Sequence, residues 1–282
     1  MNRTMITATN TMSQLQLQMD LIGNNLANVD TTGYKRQEGT FNDLLVQQVN
    51  NQRDSADAVG RLTPQGIRQG VGAKLGLVKL ILTQGALKNT ERDLDAALTK
   101  PDLFFKVQTT DASGTTEMRF TRDGSFYLSP SAADANRLEL VTSSGNRILD
   151  QWNNPISITR DIAGITISEN GTLVATMNDG QQQTIELGVI SVQNPQYLEN
   201  KGGNLYGLTN EAIAGVQQED IYTDLIGGLR ENVAVRQGSL ENSNVDMSKE
   251  MTDLITAQRM YQFQARSVTL ADQMLGLVNG LR

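Results

Sequence analysis

MITATNTMSQLQLQMDLIGNNLANVDTTGYK, residues 5–35, is the stretch whose reading decides the architecture. Its apolar positions are Met5, Ala8, Met12, Leu15, Met19, Ile22, Leu26 and Val29, in alternating steps of three and four. This spacing holds the apolar side chains on one face of an α-helix and forms a heptad seam. The residues beside the seam are Gln, Asn, Thr and Ser, with Asp20 almost the only charge, so other protein is expected to cover those faces. The helix is expected to end between Asn28 and Gly33. There Asn28, Asp30 and Thr31 can bond freed backbone groups, and Gly33 tolerates a positive φ. Tyr34 is then expected to fold back on the seam.

The other end of the chain repeats the theme. Met247, Leu254, Tyr261, Val268 and Leu275 recur every seventh residue, flanked by Met251, Ala257, Ala265, Ala271 and Val278. Asn244 or Asp246 is the expected N-cap, with Glu250 in the first turns. At 1.5 Å per residue the two helices span roughly 40 and 50 Å. Helices of that length need a partner surface.

Between the helices the texture changes to short runs rich in β-branched and aromatic residues, broken by Gly, Asn and Asp: LFFKVQT, EMRFT, SFYLS, RLELVT, ISITR, ITISE, TLVATM and TIELGVISV. Such runs predict a compact antiparallel β domain. The expected fold class is therefore α+β, with long, coiled-coil-like N- and C-terminal helices bracketing an inserted antiparallel β domain. The expected divisions are an assembly helix over 1–33, an extended arm over 34–83, the β-rich domain over 84–214, a return arm over 215–243 and a second assembly helix over 244–282.

Composition narrows the chemistry. The chain of 282 residues is 38% hydrophobic and only 5% aromatic, which implies a thin core and much polar contact surface. It has neither Cys nor His, so thiolate and imidazole nucleophiles, Ser-His triads and the usual zinc sites are excluded. A net charge of −7 with no basic run argues against nucleic acid as a partner. No stretch approaches the roughly 20 apolar residues of a membrane span. The N-terminus has no continuous apolar segment and is not expected to act as a cleaved secretion signal.

Residues 24–41, NNLANVDTTGYKRQEGTF, resemble the N-terminal signature of the bacterial flagellar basal-body rod and hook family, through Ala27, Asn28, Thr31, Gly33, Tyr34, Lys35 and Phe41. QGALKNTERDLDAAL followed by FFKV, then RFTRDGSFYL, ELVTSSGNRIL and SVQNPQYLENKGGNLYGLT, are similar to the family's β-domain pattern in the same order. Residues 236–268 resemble its closing signature. LTPQGIRQGVGAK, residues 62–74, is similar to a segment of distal rod subunits. The chain departs from the family where AALTKPDLFF carries Lys100, Pro101 and Asp102 in place of glycines, and where TATNTM lacks a small-residue pair. These departures point to a divergent paralogue of the hook-basal-body type found in Gram-positive bacilli.

The resemblance implies a structural subunit of the flagellar rod, of distal type, and no enzyme. It implies export through the flagellar type III apparatus without a cleaved signal, assembly with sister copies and with other rod and hook subunits, and residence in the basal body. No cofactor and no metal are implied. The expected assembly residues are Met12, Leu15, Met19, Ile22, Leu26, Asn28, Gly33, Tyr34, Met251, Leu254, Tyr261, Val268 and Leu275. Phe41 with Leu45 resembles the family's export-recognition spacing. The alternatives are a hook or proximal-rod subunit and, from other classes, a wall-directed enzyme or a surface adhesin.

Three local patterns suggest sharper chemistry and are better read as turns. GVGAKLG has the wrong glycine spacing for a dinucleotide loop. Glu91, Asp93 and Asp95 lie too close in sequence for a glycosidase pair and have Arg92 among them. NDGQQQ and TRDGSF each offer one acidic residue before Gly, short of a calcium loop.

Overall fold

In the computed structural model, the described residues are 2–43, 47–49, 67–70, 72–110, 114–131, 134–209 and 217–280. They form two compact units, one drawn from Met1–Leu26, Glu38–Val78 and Met247–Arg282, the other from Ala27–Gln37 and Lys79–Asp246.

The first unit holds the two long helices, Asn2–Ala27 and Met247–Gly280. Ala8, Leu15 and Ile22 are buried and recur every seventh residue, as one face of a helix requires. On the C-terminal helix the buried positions are Glu250, Ala257 and Ala271. Asn25 Nδ2 donates to Glu250 Oε2 at 3.2 Å, and Gln16 Nε2 to the Tyr261 hydroxyl at 3.3 Å. One pair steps backward along the first helix while the other steps forward along the second, so the helices run antiparallel. Strands Gln37–Asp43 and Ala73–Leu80 pair with each other, and Gln47–Val49 pairs antiparallel with Ile67–Gln69. The stretch expected as a bare extended arm thus carries ladders. The Leu75 amide also donates to Gln14 Oε1 at 2.8 Å, which ties this stretch to the N-terminal helix.

The second unit is built around Leu103–Thr110. Its residues 103–107 are all buried, so it is central in the sheet. It pairs antiparallel with Thr116–Thr121, Val189–Val192 and Arg147–Ile148. Among the described residues this sheet has ten strands. Period-two alternation divides its core. Leu103, Phe105 and Val107 enter one apolar cluster with Phe126, Leu140, Ile148 and Leu173, while Phe104 enters a second with Phe120, Ile190, Tyr206 and Tyr222. Edge-on aromatic pairs fix both, Phe105 with Phe126 at 5.1 Å and Phe104 with Tyr206 at 5.6 Å. Ile162–Ile167, Thr172–Met177 and Gln182–Glu186 form a separate three-stranded meander.

Residues 217–241, within the stretch expected as a polar return arm, are woven into the β region. Tyr222–Asp224 joins Val189–Val192, Val235–Gln237 joins Ala96–Leu98, and Ser239–Glu241 joins Leu87–Asn89. Strands of three residues are too short to display an alternation. The single Trp of the chain, Trp152, is 65% exposed on the turn that follows Asp150, whose carboxylate accepts from the Trp152 and Asn154 amides.

Candidate functional site

The heptad residues lie on the two long helices except Val29, which follows the end of the first helix at Ala27. Leu15 and Ile22 are buried, and Met12, Met19 and Leu26 are half-buried. Leu254, Tyr261, Val268 and Leu275 are half-buried on the C-terminal helix, on the side that carries Glu250, Ala257 and Ala271. Met251 is 46% exposed and lies off that face, and Met247, at the first turn of the helix, is 49% exposed.

The C-terminal helix also has a second apolar stripe that the heptad reading passed over. Phe263, Leu270 and Leu277 recur every seventh residue, with Met260 one turn before the first and Met274 between the last two, and all five are exposed, Phe263 at 64% and Leu277 at 71%. The signal was present in the same sequence: Phe263, Leu270 and Leu277 have the spacing of Tyr261, Val268 and Leu275, shifted by two residues. A shift of two residues is about 200° around a helix, so the stripes point in different directions.

Asn28, Gly33 and Tyr34 belong to the β-rich unit. The N-terminal helix ends at Ala27, where Thr31 donates to the Asn28 carbonyl. Gly33 has φ +69, as expected, and a further constraint not visible in the sequence. A Cβ there would stand 2.6 Å from the Arg122 carbonyl carbon and the Asp123 nitrogen. Thr32 Oγ1 donates to Asp123 Oδ1, whose carboxyl is held above its usual range by burial. Tyr34 is 2% exposed in the same unit.

Lys35, adjacent to Tyr34, enters a buried ionic cluster. Its Nζ lies 2.8 Å from Glu241 Oε1 and 2.8 Å from the Thr83 carbonyl. Arg122 Nε lies 2.6 Å from Glu241 Oε2, and its Nη1 donates to the Leu103 carbonyl at 2.6 Å. All three side chains are at most 1% exposed. Burial, then the neighbouring Arg122 charge, pushes Lys35 down to about 8, while Glu241 pulls the other way. The Lys35 amide donates to the Tyr206 hydroxyl, and burial pushes that phenol well above its usual value.

Of the remaining patterns, GVGAKLG is not the expected turn, since its residues 73–76 lie in a strand. Gly72 precedes the strand Ala73–Leu80, where a phosphate loop would need a helix. Arg92 Nη1 pairs with Asp95 Oδ1 at 3.2 Å, and Asp95 is buried. Phe41 is 40% exposed on its strand, and Leu45 lies outside the described residues. Among the described residues no helix is long and apolar enough to cross a membrane.

These features place the chain in a class of α+β proteins whose two ends form one helical unit around an inserted antiparallel β region. Three family models match it in chain order: flagella basal body rod protein over residues 5–35, the flagellar hook protein FlgE/F/G D1 domain over 102–175, and the flagellar basal body rod FlgEFG protein C-terminal region over 236–281. The first match ends on Lys35 and the third contains Glu241. The flagellar hook-basal body complex protein FlhP of Bacillus subtilis is 43% identical over 284 residues, covering 100% of both chains. The flagellar basal-body rod protein FlgG of Borreliella burgdorferi is 35% identical, covering 100% of this chain and 99% of its own. The FlgG of Bacillus subtilis is 30% identical over 98% and 97%. The chain belongs to the flagellar basal-body rod and hook family.

Proposed function

We propose that this chain is a structural subunit of the bacterial flagellar basal-body rod, of distal type, which polymerises through its terminal helices into part of the axial drive shaft. The observation that carries the proposal is the double-faced C-terminal helix. One stripe is covered by the N-terminal helix of the same chain, and the other, through Phe263, Leu270 and Leu277, is left to water. Exposed apolar residues in register over several turns are costly unless another surface covers them. A coiled-coil-like contact with a sister copy satisfies that need, and a head-to-tail contact that does not close yields a filament. The names of the relatives support the rod reading. The distal position rests on the resemblance of residues 62–74, of which 62–66 and 71 lie outside the described residues.

In this role the chain is no enzyme. It passes through the flagellar export apparatus without a cleaved signal, with Phe41 and Leu45 in the recognition element, and meets other rod and hook subunits on the axis. Leu15, Ile22, Leu254 and Val268 contribute by holding the helix pair together. The exposed stripe makes the contact between copies.

Leu270→Glu combined with Leu277→Glu tests the proposal in the purified protein and in the cell. Both positions are exposed, so circular dichroism should match the wild type. Sedimentation should show no polymer, and basal bodies should be truncated short of the hook, with swimming lost. Normal swimming by a folded double variant would remove the assignment.

A further inference from the structure

The Lys35–Glu241–Arg122 cluster joins groups far apart in the chain and places two cations on one carboxylate. Glu241 Oε1 accepts from Lys35 Nζ and from the Gly85 amide, each at 2.8 Å, and Oε2 accepts from Arg122 Nε at 2.6 Å. Arg122 has other acceptors, the Pro101 carbonyl at 2.9 Å and the Leu103 carbonyl at 2.6 Å, both set by the β core. Among the described residues, the partners of Lys35 Nζ besides Glu241 are the Thr83 carbonyl at 2.8 Å and, at a longer 3.4 Å, that of Leu82. A buried charge that loses its counter-ion is strongly destabilising. Without the Glu241 carboxylate, Lys35 faces the Arg122 charge with carbonyls alone, and it is the member free to leave.

Backbone bonds follow the same three segments. The Gly33 amide donates to the Glu241 carbonyl at 2.8 Å, and the Ile81 amide to the Arg36 carbonyl at 2.9 Å. The Arg36 amide donates to Asn244 Oδ1 at 2.7 Å, and Asn244 Nδ2 donates to the Ile81 carbonyl at 2.7 Å. Of the two expected N-caps, Asp246 is the one that directly precedes the helix at Met247, while Asn244 ties segments 33–36 and 81–85 to 241–244. Each segment lies within a few residues of a point where the chain passes from one unit to the other. A Cβ at Gly85 would stand 2.0 Å from the Asn242 carbonyl oxygen, so the backbones meet with no space between them.

We infer that Glu241 is the closing member of a latch: segment 33–36 docks into the β-rich unit only when 241–244 is in place, so the connectors to both terminal helices dock together or not at all. Lys35 precedes Glu241 by 206 residues. A chain that has not yet delivered residue 241 holds a charged Lys35 outside the fold. The latch therefore fixes the N-terminal connector only after residue 241 has been delivered. This goes beyond the polymerisation proposal and does not depend on it.

Residue-resolved hydrogen–deuterium exchange on the full-length protein tests the latch. Glu241→Gln should accelerate exchange at Gly33, Lys35, Arg36 and Ile81 together by at least about tenfold, while Phe105 and Val107 in the central strand keep wild-type rates. Combining Glu241→Gln with Lys35→Met removes the stranded cation and should restore most of the protection. Three results overturn the inference: unchanged exchange at residues 33–36 in Glu241→Gln, core amides accelerating in step with the junction, or no rescue in the double variant.

Discussion

At the scale of single residues, the titrating groups around Lys35 set a pH dependence whose sign can be worked out. Lys35 is pushed down to about 8 from 10.5, so between those values the unfolded chain binds the proton that the folded chain has released. Stability then rises with pH across that window, by up to about 1.4 kcal/mol per unit. The groups facing the ammonium are Arg122 and Glu241, while the hydroxyl of Tyr206 meets the Lys35 backbone amide. Burial pushes Tyr222 up to about 12, and Tyr206 is raised as well, so above pH ~10 the unfolded chain loses phenol protons that the folded chain keeps, and stability falls. Urea denaturation at a series of pH values should show a maximum between about 9 and 10.5. Lys35→Met should flatten the rising limb and leave the falling limb in place.

At the scale of elements, the two faces of the C-terminal helix answer differently to the same kind of change. Ala257 is fully buried on the helix, between Glu250 and Tyr261, which bond the N-terminal helix, so a Leu there would add three carbons to a packed site. Ala257→Leu should cost about 1–3 kcal/mol by overpacking. Leu270→Ala on the exposed stripe should change monomer stability by less than about 0.5 kcal/mol. Thermal melts followed by helical circular dichroism distinguish the two, and equal effects would mean that the faces have been assigned the wrong way round. The inner face was legible in the sequence because Ala8, Leu15 and Ile22 alternate with Met5, Met12 and Met19 in steps of three and four. The central strand was legible because LFFKV is apolar enough to be buried on both sides. The Val235–Gln237 and Ser239–Glu241 strands were not, since three residues give no period and their partners lie more than a hundred residues earlier. The Lys35–Glu241 pair was invisible for a related reason: a single chain carries no sign of which distant charge will neutralise which.

At the scale of the whole molecule, the chain has two compact units, and the segments gathered around Glu241 all belong to the second. The α+β class, with a helix at each end and an antiparallel β region between, was legible in composition and periodicity. The knot that joins the connectors depends on tertiary neighbours and emerged only with the coordinates. One feature far from that knot supplies an optical probe. Trp152, the lone indole, already stands in water on its turn in the folded chain, so its emission maximum is expected near the red end of the tryptophan range before any denaturant is added. Unfolding should hardly change its colour. A blue shift during polymer growth would then record that a neighbouring copy has covered the 150–154 turn, with no label attached to the protein.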